Sequence, residues 1–314
     1  MTIDDRDYDI FLKEDLKPFE AAITNKVPMI MVSHNIVTCK DKIYPASLSK
    51  EWHNILRKDL NYTGLILTDD ISMGAITKYK SDEPVAVLAV KSGNDIIETS
   101  NYYQHYEDVR KAVESGDIKE EIINKACRRI IAWKLKYLSD IENEEAEEEE
   151  SQDVLFKEYY KEAEEYMKNM TIEEKIGQMF FQRYYESHAI KDIKNKTIGG
   201  FILFAKDFNY NETYIKNYIK EMHKLSNEYM KLPLGIAVDE EGGTVVRVST
   251  KHRKEGKFPS PQDIYNESGI EGILKIDKEK RDLLKKFYTA PTRSSQTPSS
   301  TASSVSPAST AAAS

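Results

Sequence analysis

Residues 55–73, ILRKDLNYTGLILTDDISM, decide the fold prediction for this chain. A short apolar run extends from Gly64 to Thr68, and such a run is typical of a buried parallel strand. Asp69 and Asp70 stand directly at its C-terminal end. In an α/β barrel, acids at the carboxyl end of a strand are typical of a catalytic centre. The alternative is that one of the two acids only caps the helix that follows.

The same stretch resembles the active-site signature of family-3 glycoside hydrolases. The resemblance rests on residues at fixed spacing, namely Ile55, Leu56, Arg57, Asp59, Gly64, Thr68, Asp69 and Ser72. In that family the acid directly after the Ser or Thr is the catalytic nucleophile, which implies this role for Asp69 and makes Asp70 its neighbour in the substrate site. The ending DDISM is more similar to the β-N-acetylhexosaminidase branch than to the β-glucosidase branch, and it places Met73 in the pocket wall.

Composition excludes several classes of protein. The formal net charge of −8 argues against a nucleic-acid partner, since phosphate binding needs a basic face. No apolar run approaches the roughly 20 residues of a membrane span. The start, MTIDDRDYDIF, lacks the apolar segment of a signal peptide, so the chain as written is expected in the cytoplasm. Cys39 and Cys127 are expected to be unlinked thiols, because two cysteines make neither a disulfide framework nor a metal site.

His34 follows an apolar strand predicted to begin at Pro28. A lone histidine at a strand end is more often a structural group than a catalyst. The family has a histidine at the end of this strand, facing the sugar pocket, so the resemblance implies substrate binding by His34. The spacing of apolar residues predicts helices over 13–25, 50–60, 82–92, 102–115 and 118–137, and a further short strand over 93–100.

The composition changes abruptly after residue 138. The run IENEEAEEEESQD predicts a solvated linker over 139–153. We therefore predict one domain over 1–138 and a second over 154–287, the latter beginning with a helix over 154–170. Residues 288–314, rich in Ser, Thr, Pro and Ala, are expected to be a disordered tail. An acidic spacer before a barrel start resembles that of exported surface proteins, which favours a secreted or cell-surface ancestry.

The second half carries a further acidic cluster. Thr171 and Glu174 predict a capping box, and a strand over 198–204, a helix over 211–230 and a strand before VDEEGG follow. The family has a similar Asp-x-Glu-Gly-Gly whose Asp grips sugar hydroxyls, which implies that role for Asp239. Arg247 also matches, and in the family it more often positions this loop than contacts the sugar.

The two halves stand in reversed order relative to the family. By resemblance, residues 1–137 supply strands six, seven and eight of a (β/α)8 TIM-type barrel, and 165–287 supply strands one, two and three. Strand eight neighbours strand one in a closed ring, so the resemblance implies an incomplete, permuted α/β barrel. A tandem pair of shortened domains and a sequence-assembly artefact are the alternatives. Nothing matches strands four and five, and the open edges favour self-association.

The chemistry implied by the resemblance is retaining hydrolysis of a terminal β-linked N-acetylhexosamine or a β-glucoside, without cofactor or metal. The family's Lys-His-Phe-Pro-Gly-His-Gly motif and its Asp-x-His acid/base dyad have no match in this sequence. Of the six histidines, only His188 is expected near a loop at the barrel mouth. Three hypotheses follow: an active glycosidase, a catalytically inactive sugar- or partner-binding barrel remnant, and a non-functional fragment.

Overall fold

A computed structural model describes residues 2–77, 81–138 and 154–287. The predicted linker over 139–153 and the predicted tail over 288–314 lie outside the described residues. The strands are β1 (Ile3–Asp4), β2 (Met29–Val32), β3 (Ile36–Val37), β4 (Leu65–Thr68), β5 (Ile97–Thr99), β6 (Phe180–Arg183), β7 (Gly200–Leu203) and β8 (Gly235–Val238). The helices are α1 (Tyr8–Ile10), α2 (Lys17–Thr24), α3 (Lys50–Asn54), α4 (Gly74–Thr77), α5 (Val85–Ser92), α6 (Tyr102–Glu114), α7 (Glu120–Tyr137), α8 (Tyr160–Met167), α9 (Ile172–Gln178), α10 (Glu186–Lys194), α11 (Glu212–Tyr229), α12 (Ser249–His252) and α13 (Pro261–Lys285).

Parallel strands from both halves form one succession, β2-β4-β5-β6-β7-β8. β2 pairs with β4, and β5 to β8 form a second sheet. A parallel bridge between Leu67 and Ile96 joins the two, and the Thr68 N–H donates to the Ile96 carbonyl at 3.1 Å. The expected α/β class with parallel strands is thereby confirmed. Within the described ranges the succession does not close into a barrel.

The two halves of the chain share a sheet and a core. Ile97 of β5 pairs with Phe180 of β6, and the Ile97 N–H donates to the Met179 carbonyl at 2.7 Å. Helix α7 of the first half packs against α8 and α9 of the second. Buried side chains from both halves belong to one hydrophobic cluster. Folding of either half therefore depends on the other.

Local signals in the sequence account for most element boundaries. Ser49 caps α3 by accepting from the Trp52 N–H, and the predicted capping box of Thr171 and Glu174 is present at the start of α9. The predicted helix over 13–25 is split into a π-helical turn and α2, with Pro18 in the first turn of α2. The long helix α13 is interrupted at Gly269, whose φ of 60° is not helical.

The helix predicted over 154–170 is wrong at both ends. Its α-helical part is α8, Tyr160–Met167, preceded by a short 3-10 turn. Phe156 adopts a left-handed φ of 64° and is fully buried, so it anchors the chain to the core instead of extending the helix. The gain from burying this large ring outweighs the local helix propensity.

Both cysteines are free thiols, as expected. Cys127 lies in the core, where burial raises its pKa to about 12 and keeps the thiol protonated and unreactive. No helix within the described ranges is both long enough and apolar enough to cross a membrane.

Phe181 fills the inner face of the sheet because two facing positions are glycines. Its ring lies against Gly200 of β7 and Gly235 of β8, and an alanine Cβ at Gly235 would stand 2.3 Å from the ring carbon Cζ. We expect Gly235→Ala to lower the free energy of unfolding by about 1–3 kcal/mol through overpacking. Urea denaturation measures this, and Gly74→Ala is the control, since no atom lies within 4 Å of its added methyl. Equal midpoints for the two variants would contradict this packing.

Lys134 is a fully buried cation in α7. Its Nζ donates to Gln178 Oε1 and to the Gly199 carbonyl, both at 2.7 Å, and burial lowers its pKa to about 7. An unfolded lysine titrates near pH 10.4. Between these values the unfolded chain binds the extra proton, so the free energy of unfolding rises with pH. Urea titrations at pH 7 and pH 9 should show this rise in the wild type and a smaller one in Lys134→Met; equal rises would contradict the assignment.

Candidate functional site

Acidic side chains gather at the carboxyl ends of the parallel strands. Asp69 follows β4, Asp239 follows β8, and Glu98 lies in β5. The carboxyl groups of Asp239, Asp69 and Asp70 lie near enough to the Glu98 carboxyl for their charges to raise its pKa. In parallel α/β sheets this edge is where ligands bind. The structure thus brings together the acids that the sequence assigned to separate halves of the chain.

Asp69 presents a half-buried carboxylate. Its Oδ1 accepts the Asp70 N–H at 2.7 Å, the one hydrogen bond to this carboxylate among the residues that the structure describes. The second oxygen therefore remains available to a ligand. An anionic oxygen fixed at a strand end and left open on one side suits nucleophilic attack.

The Asp70 carboxylate hydrogen-bonds both to its own loop and to the loop that follows β5. Its Oδ1 accepts the backbone N–H groups of Ser72, at 2.8 Å, and Ser100, at 3.0 Å, while Oδ2 accepts the Ser100 hydroxyl at 2.5 Å. Because these groups occupy both carboxylate oxygens, the geometry favours a positioning role for Asp70. Met73, on the same loop, is 44% exposed, and its N–H donates to the Asp70 carbonyl. Substrate contact by Asp70 and Met73 stays a prediction.

His34, which follows β2, hydrogen-bonds to the same loop. Its Nε2 lies 3.1 Å from the Asp70 carbonyl and its Nδ1 lies 2.7 Å from the Ser47 hydroxyl. A carbonyl only accepts, so Nε2 donates and Nδ1 accepts from Ser47. Burial lowers the pKa of His34 and favours this neutral form. The structure therefore places His34 at the site, with both ring nitrogens engaged in holding the loop.

Arg247 and Asp239 form a partly buried pair on the opposite side of the site. Arg247 Nη2 lies 3.4 Å from Asp239 Oδ2. Burial raises the pKa of Asp239, and the Arg247 charge counters that effect. The Arg247 guanidinium also lies 5.5 Å from the centre of the Phe204 ring, which orients it.

Glu240, beside Asp239, hydrogen-bonds to the backbone of its loop. Its buried carboxylate accepts the N–H groups of Arg247, at 2.8 Å, and Val248, at 2.7 Å. Gly242 follows with a φ of 102°, and a Cβ there would stand 2.2 Å from the Pro259 carbonyl oxygen. Only glycine suits such a turn. Gly242 therefore lets this loop turn tightly beside Asp239 and Glu240.

Glu98 is the functional candidate that the sequence reasoning missed. It lies in β5 and is only 5% exposed. Burial, together with the charges of Asp239 and Asp69, raises its pKa to about 9. A carboxyl with such a pKa is protonated at neutral pH. The available signal was an acid near the C-terminal end of the segment DIIET, which was assigned only as part of a short strand.

Arg183 is a second residue missed at this edge. It ends β6, and its guanidinium lies 4.5 Å from the centre of the Phe204 ring. Its Nε is buried and finds no hydrogen-bond acceptor within the described residues. His188 is exposed on α10, where its Nδ1 lies 3.1 Å from the Ser187 hydroxyl.

Arg57 of the quoted stretch shapes the strand that carries Asp69. Its Nη1 donates to the carbonyls of Tyr62, at 3.0 Å, and Gly64, at 2.5 Å. Its Nη2 pairs at 2.5 Å with Asp95, which also pairs with Arg129 at 2.8 Å. Arg57 thus supports β4, the strand that Asp69 follows.

These features define an α/β fold with an acidic site at its carboxyl edge. The chain belongs to glycosyl hydrolase family 3, whose N-terminal domain matches residues 1–133 and 171–282. A beta-hexosaminidase of Idiomarina loihiensis is 39% identical over 99 residues, which are 31% of this chain and 29% of that protein. An uncharacterized secreted glycosyl hydrolase of Arthroderma benhamiae is 36% identical over 110 residues, 35% of this chain and 29% of that protein. The resemblance to β-N-acetylhexosaminidases of this family is confirmed.

The chain is also partly similar to solved structures. A beta-N-acetylhexosaminidase from Beutenbergia cavernae is 26% identical, with a TM-score of 0.37, and the match covers 42% of this chain and 40% of that one. CbsA from Thermotoga neapolitana is 27% identical, with a TM-score of 0.38, and the match covers 40% of this chain and 29% of that one. The chain spans about three-tenths of the length of the curated relatives named above.

Proposed function

We propose that this chain is a retaining glycoside hydrolase that acts on terminal β-linked N-acetylhexosamines, with Asp69 as its nucleophile. The observation that carries the proposal is the half-buried Asp69 carboxylate at the end of β4, held by one backbone N–H and open on its other oxygen. Family membership supports the reaction class. The beta-hexosaminidase relatives support the substrate class.

The reaction runs in two displacements. An Asp69 oxygen attacks the anomeric carbon as the bond to the leaving-group oxygen breaks, and a glycosyl ester forms. Water then attacks the same carbon, and Asp69 leaves as a carboxylate. Asp239, paired with Arg247, is proposed to accept hydrogen bonds from sugar hydroxyls. Asp70 and His34 hold the Asp69 loop at the pocket.

The architecture we propose is a permuted, incomplete (β/α)8 barrel. Residues 1–138 would supply strands six to eight and 154–287 strands one to three, joined by 139–153, with 288–314 as a tail. The pairing of β5 with β6 supports this arrangement, because it joins the last strand of the first half to the first strand of the second. Within the described residues, β2 pairs only with β4 and β8 only with β7, and self-association through these edges is a further prediction.

The test is hydrolysis of 4-nitrophenyl N-acetyl-β-glucosaminide, with the matching β-glucoside as the second substrate. We expect release of nitrophenol from the first and a β-configured initial product by proton NMR. Sugar binding by calorimetry without turnover would contradict the proposal and support an inactive sugar-binding remnant. An α-configured initial product would contradict the retaining mechanism.

A further inference from the structure

Hydrogen bonds join the Glu98 backbone to residues on either side of Asp69. The Thr68 hydroxyl oxygen accepts the Glu98 N–H at 3.1 Å, and the Ile71 N–H donates to the Glu98 carbonyl at 3.1 Å. These two contacts flank Asp69 on both sides. The parallel bridge between Leu67 and Ile96 sets the register of β4 against β5, and the same register two residues further on brings Asp69, just after β4, beside Glu98.

Residues paired in this way point to the same face of a sheet, and neighbouring strands lie about 4.8 Å apart. The Glu98 and Asp69 side chains therefore start about that far apart on one face. Retaining glycosidases place their two catalytic carboxyl groups about 5–5.5 Å apart. The spacing between neighbouring strands is of the same size as this separation.

The Glu98 carboxyl group makes no hydrogen bond that would stabilise the fold within the described residues. Glu98 pairs with Phe181 of β6, whose side chain is an apolar ring. Only 5% of Glu98 is exposed. Among the described residues none hydrogen-bonds to its carboxyl oxygens, whereas Asp70 and Glu240 both bind backbone N–H groups. A buried acid with no partner is costly to keep unless it has a function.

We propose that Glu98 is the acid/base residue that works with Asp69, in place of the absent histidine dyad. This inference rests on the proposed function. In the first displacement the Glu98 proton passes to the leaving-group oxygen as that oxygen separates from the anomeric carbon. In the second, the Glu98 carboxylate takes a proton from the attacking water, whose oxygen bonds to the anomeric carbon while Asp69 is released.

The charges around Glu98 suit both steps. Burial and the negative charges of Asp239, Asp69 and Asp70 keep it protonated before the first step, while Arg247 opposes them. Conversion of Asp69 to a neutral ester removes one of these negative charges. The pKa of Glu98 then falls, which makes its carboxylate available for the second step.

The experiment compares Glu98→Gln with the wild type on two N-acetyl-β-glucosaminides. One carries 2,4-dinitrophenolate, which leaves without a proton, and the other carries an alkyl alcohol, which needs one. The introduced amide keeps the shape and the neutral charge of the protonated acid but transfers no proton. We expect a loss of about 10²- to 10⁴-fold with the alkyl glycoside. With the dinitrophenyl glycoside we expect a rapid release of one equivalent of dinitrophenolate, followed by slow turnover.

Rescue by azide distinguishes a role in proton transfer from a purely structural role, because azide would not restore the activity of a variant that is only destabilised. In Glu98→Ala, azide should restore turnover of the dinitrophenyl glycoside and yield a β-glycosyl azide, because it attacks without a general base. The matched control is Glu228→Gln, an exposed glutamate on α11, which should keep wild-type rates on both substrates.

Three outcomes overturn the assignment. If Glu98→Gln hydrolyses the alkyl glycoside at a rate within a few-fold of the wild-type rate, Glu98 does not transfer the proton. Loss of the burst in a folded Glu98→Gln makes it a binding residue instead. Absence of any dinitrophenolate release by the wild type rejects the proposed function itself, and the role of Glu98 with it.

The wild type alone gives an independent measurement if the variants fail to fold. Hydrolysis of the alkyl glycoside should decline as the pH rises through about 9, where Glu98 loses its proton. Release of dinitrophenolate from the dinitrophenyl glycoside should persist over the same range. A parallel decline of both overturns the assignment.

Discussion

Asparagine in place of Asp69 is expected to abolish turnover of 4-nitrophenyl N-acetyl-β-glucosaminide, with a loss of about 10⁴- to 10⁶-fold. This range is the cost of removing part of the nucleophilic machinery of a hydrolase. The amide is isosteric with the carboxylate but is a far weaker nucleophile, so no glycosyl ester forms. The fold should persist, because the single hydrogen bond that Asp69 accepts within the described residues also suits an amide oxygen.

The matched control for this prediction is Asp5→Asn. Asp5 is exposed in the N-terminal segment and should leave the rate unchanged. Initial rates at saturating substrate, with circular dichroism of both variants, make the measurement. A folded Asp69→Asn that retains more than about a tenth of the wild-type rate would remove Asp69 from the chemistry.

Alanine in place of Asp95 is expected to lower the free energy of unfolding by about 3–5 kcal/mol, the cost of breaking a buried ion pair. The Asp95 side chain is 1% exposed and pairs with Arg57 at 2.5 Å and Arg129 at 2.8 Å. It also accepts the Ile66 N–H at 2.9 Å, inside the strand that carries Asp69. Its removal leaves two cations facing each other and one strand N–H without its acceptor.

Urea denaturation monitored by tryptophan fluorescence measures the loss. Asp117→Ala is the control, since Asp117 also pairs with a cation, Lys91 at 2.7 Å, but is 49% exposed. An exposed pair of this kind contributes about 0–1 kcal/mol. Similar midpoints for Asp95→Ala and Asp117→Ala would show that the buried network does not support β4.

Local features of the site could be predicted from the sequence. The strand before Asp69, the helix cap at Ser49 and the capping box at Thr171 each depend on neighbouring residues. The turn at Gly242 likewise follows from the freedom of glycine to adopt positive φ. Such features survive in the structure because local energetics and tertiary packing agree there.

Long-range features could not be predicted from the residues alone. The pairing of β5 with β6 joins residues some eighty positions apart, and only the family resemblance suggested it. Glu98 was missed because alternation within a three-residue strand does not reveal which face looks toward Asp69. Phe156 ended the predicted helix through burial that no local signal records.

The most direct test of the account is the site of covalent labelling by an activated 2-deoxy-2-fluoro glycoside. The fluorine slows both displacements, while a good leaving group lets the first one proceed, so the ester accumulates. Intact mass should rise by one fluoro-sugar, and peptide mapping should place it on Asp69, with no adduct in Asp69→Asn. A folded wild type that gains no mass, or gains it on another residue, would contradict the account.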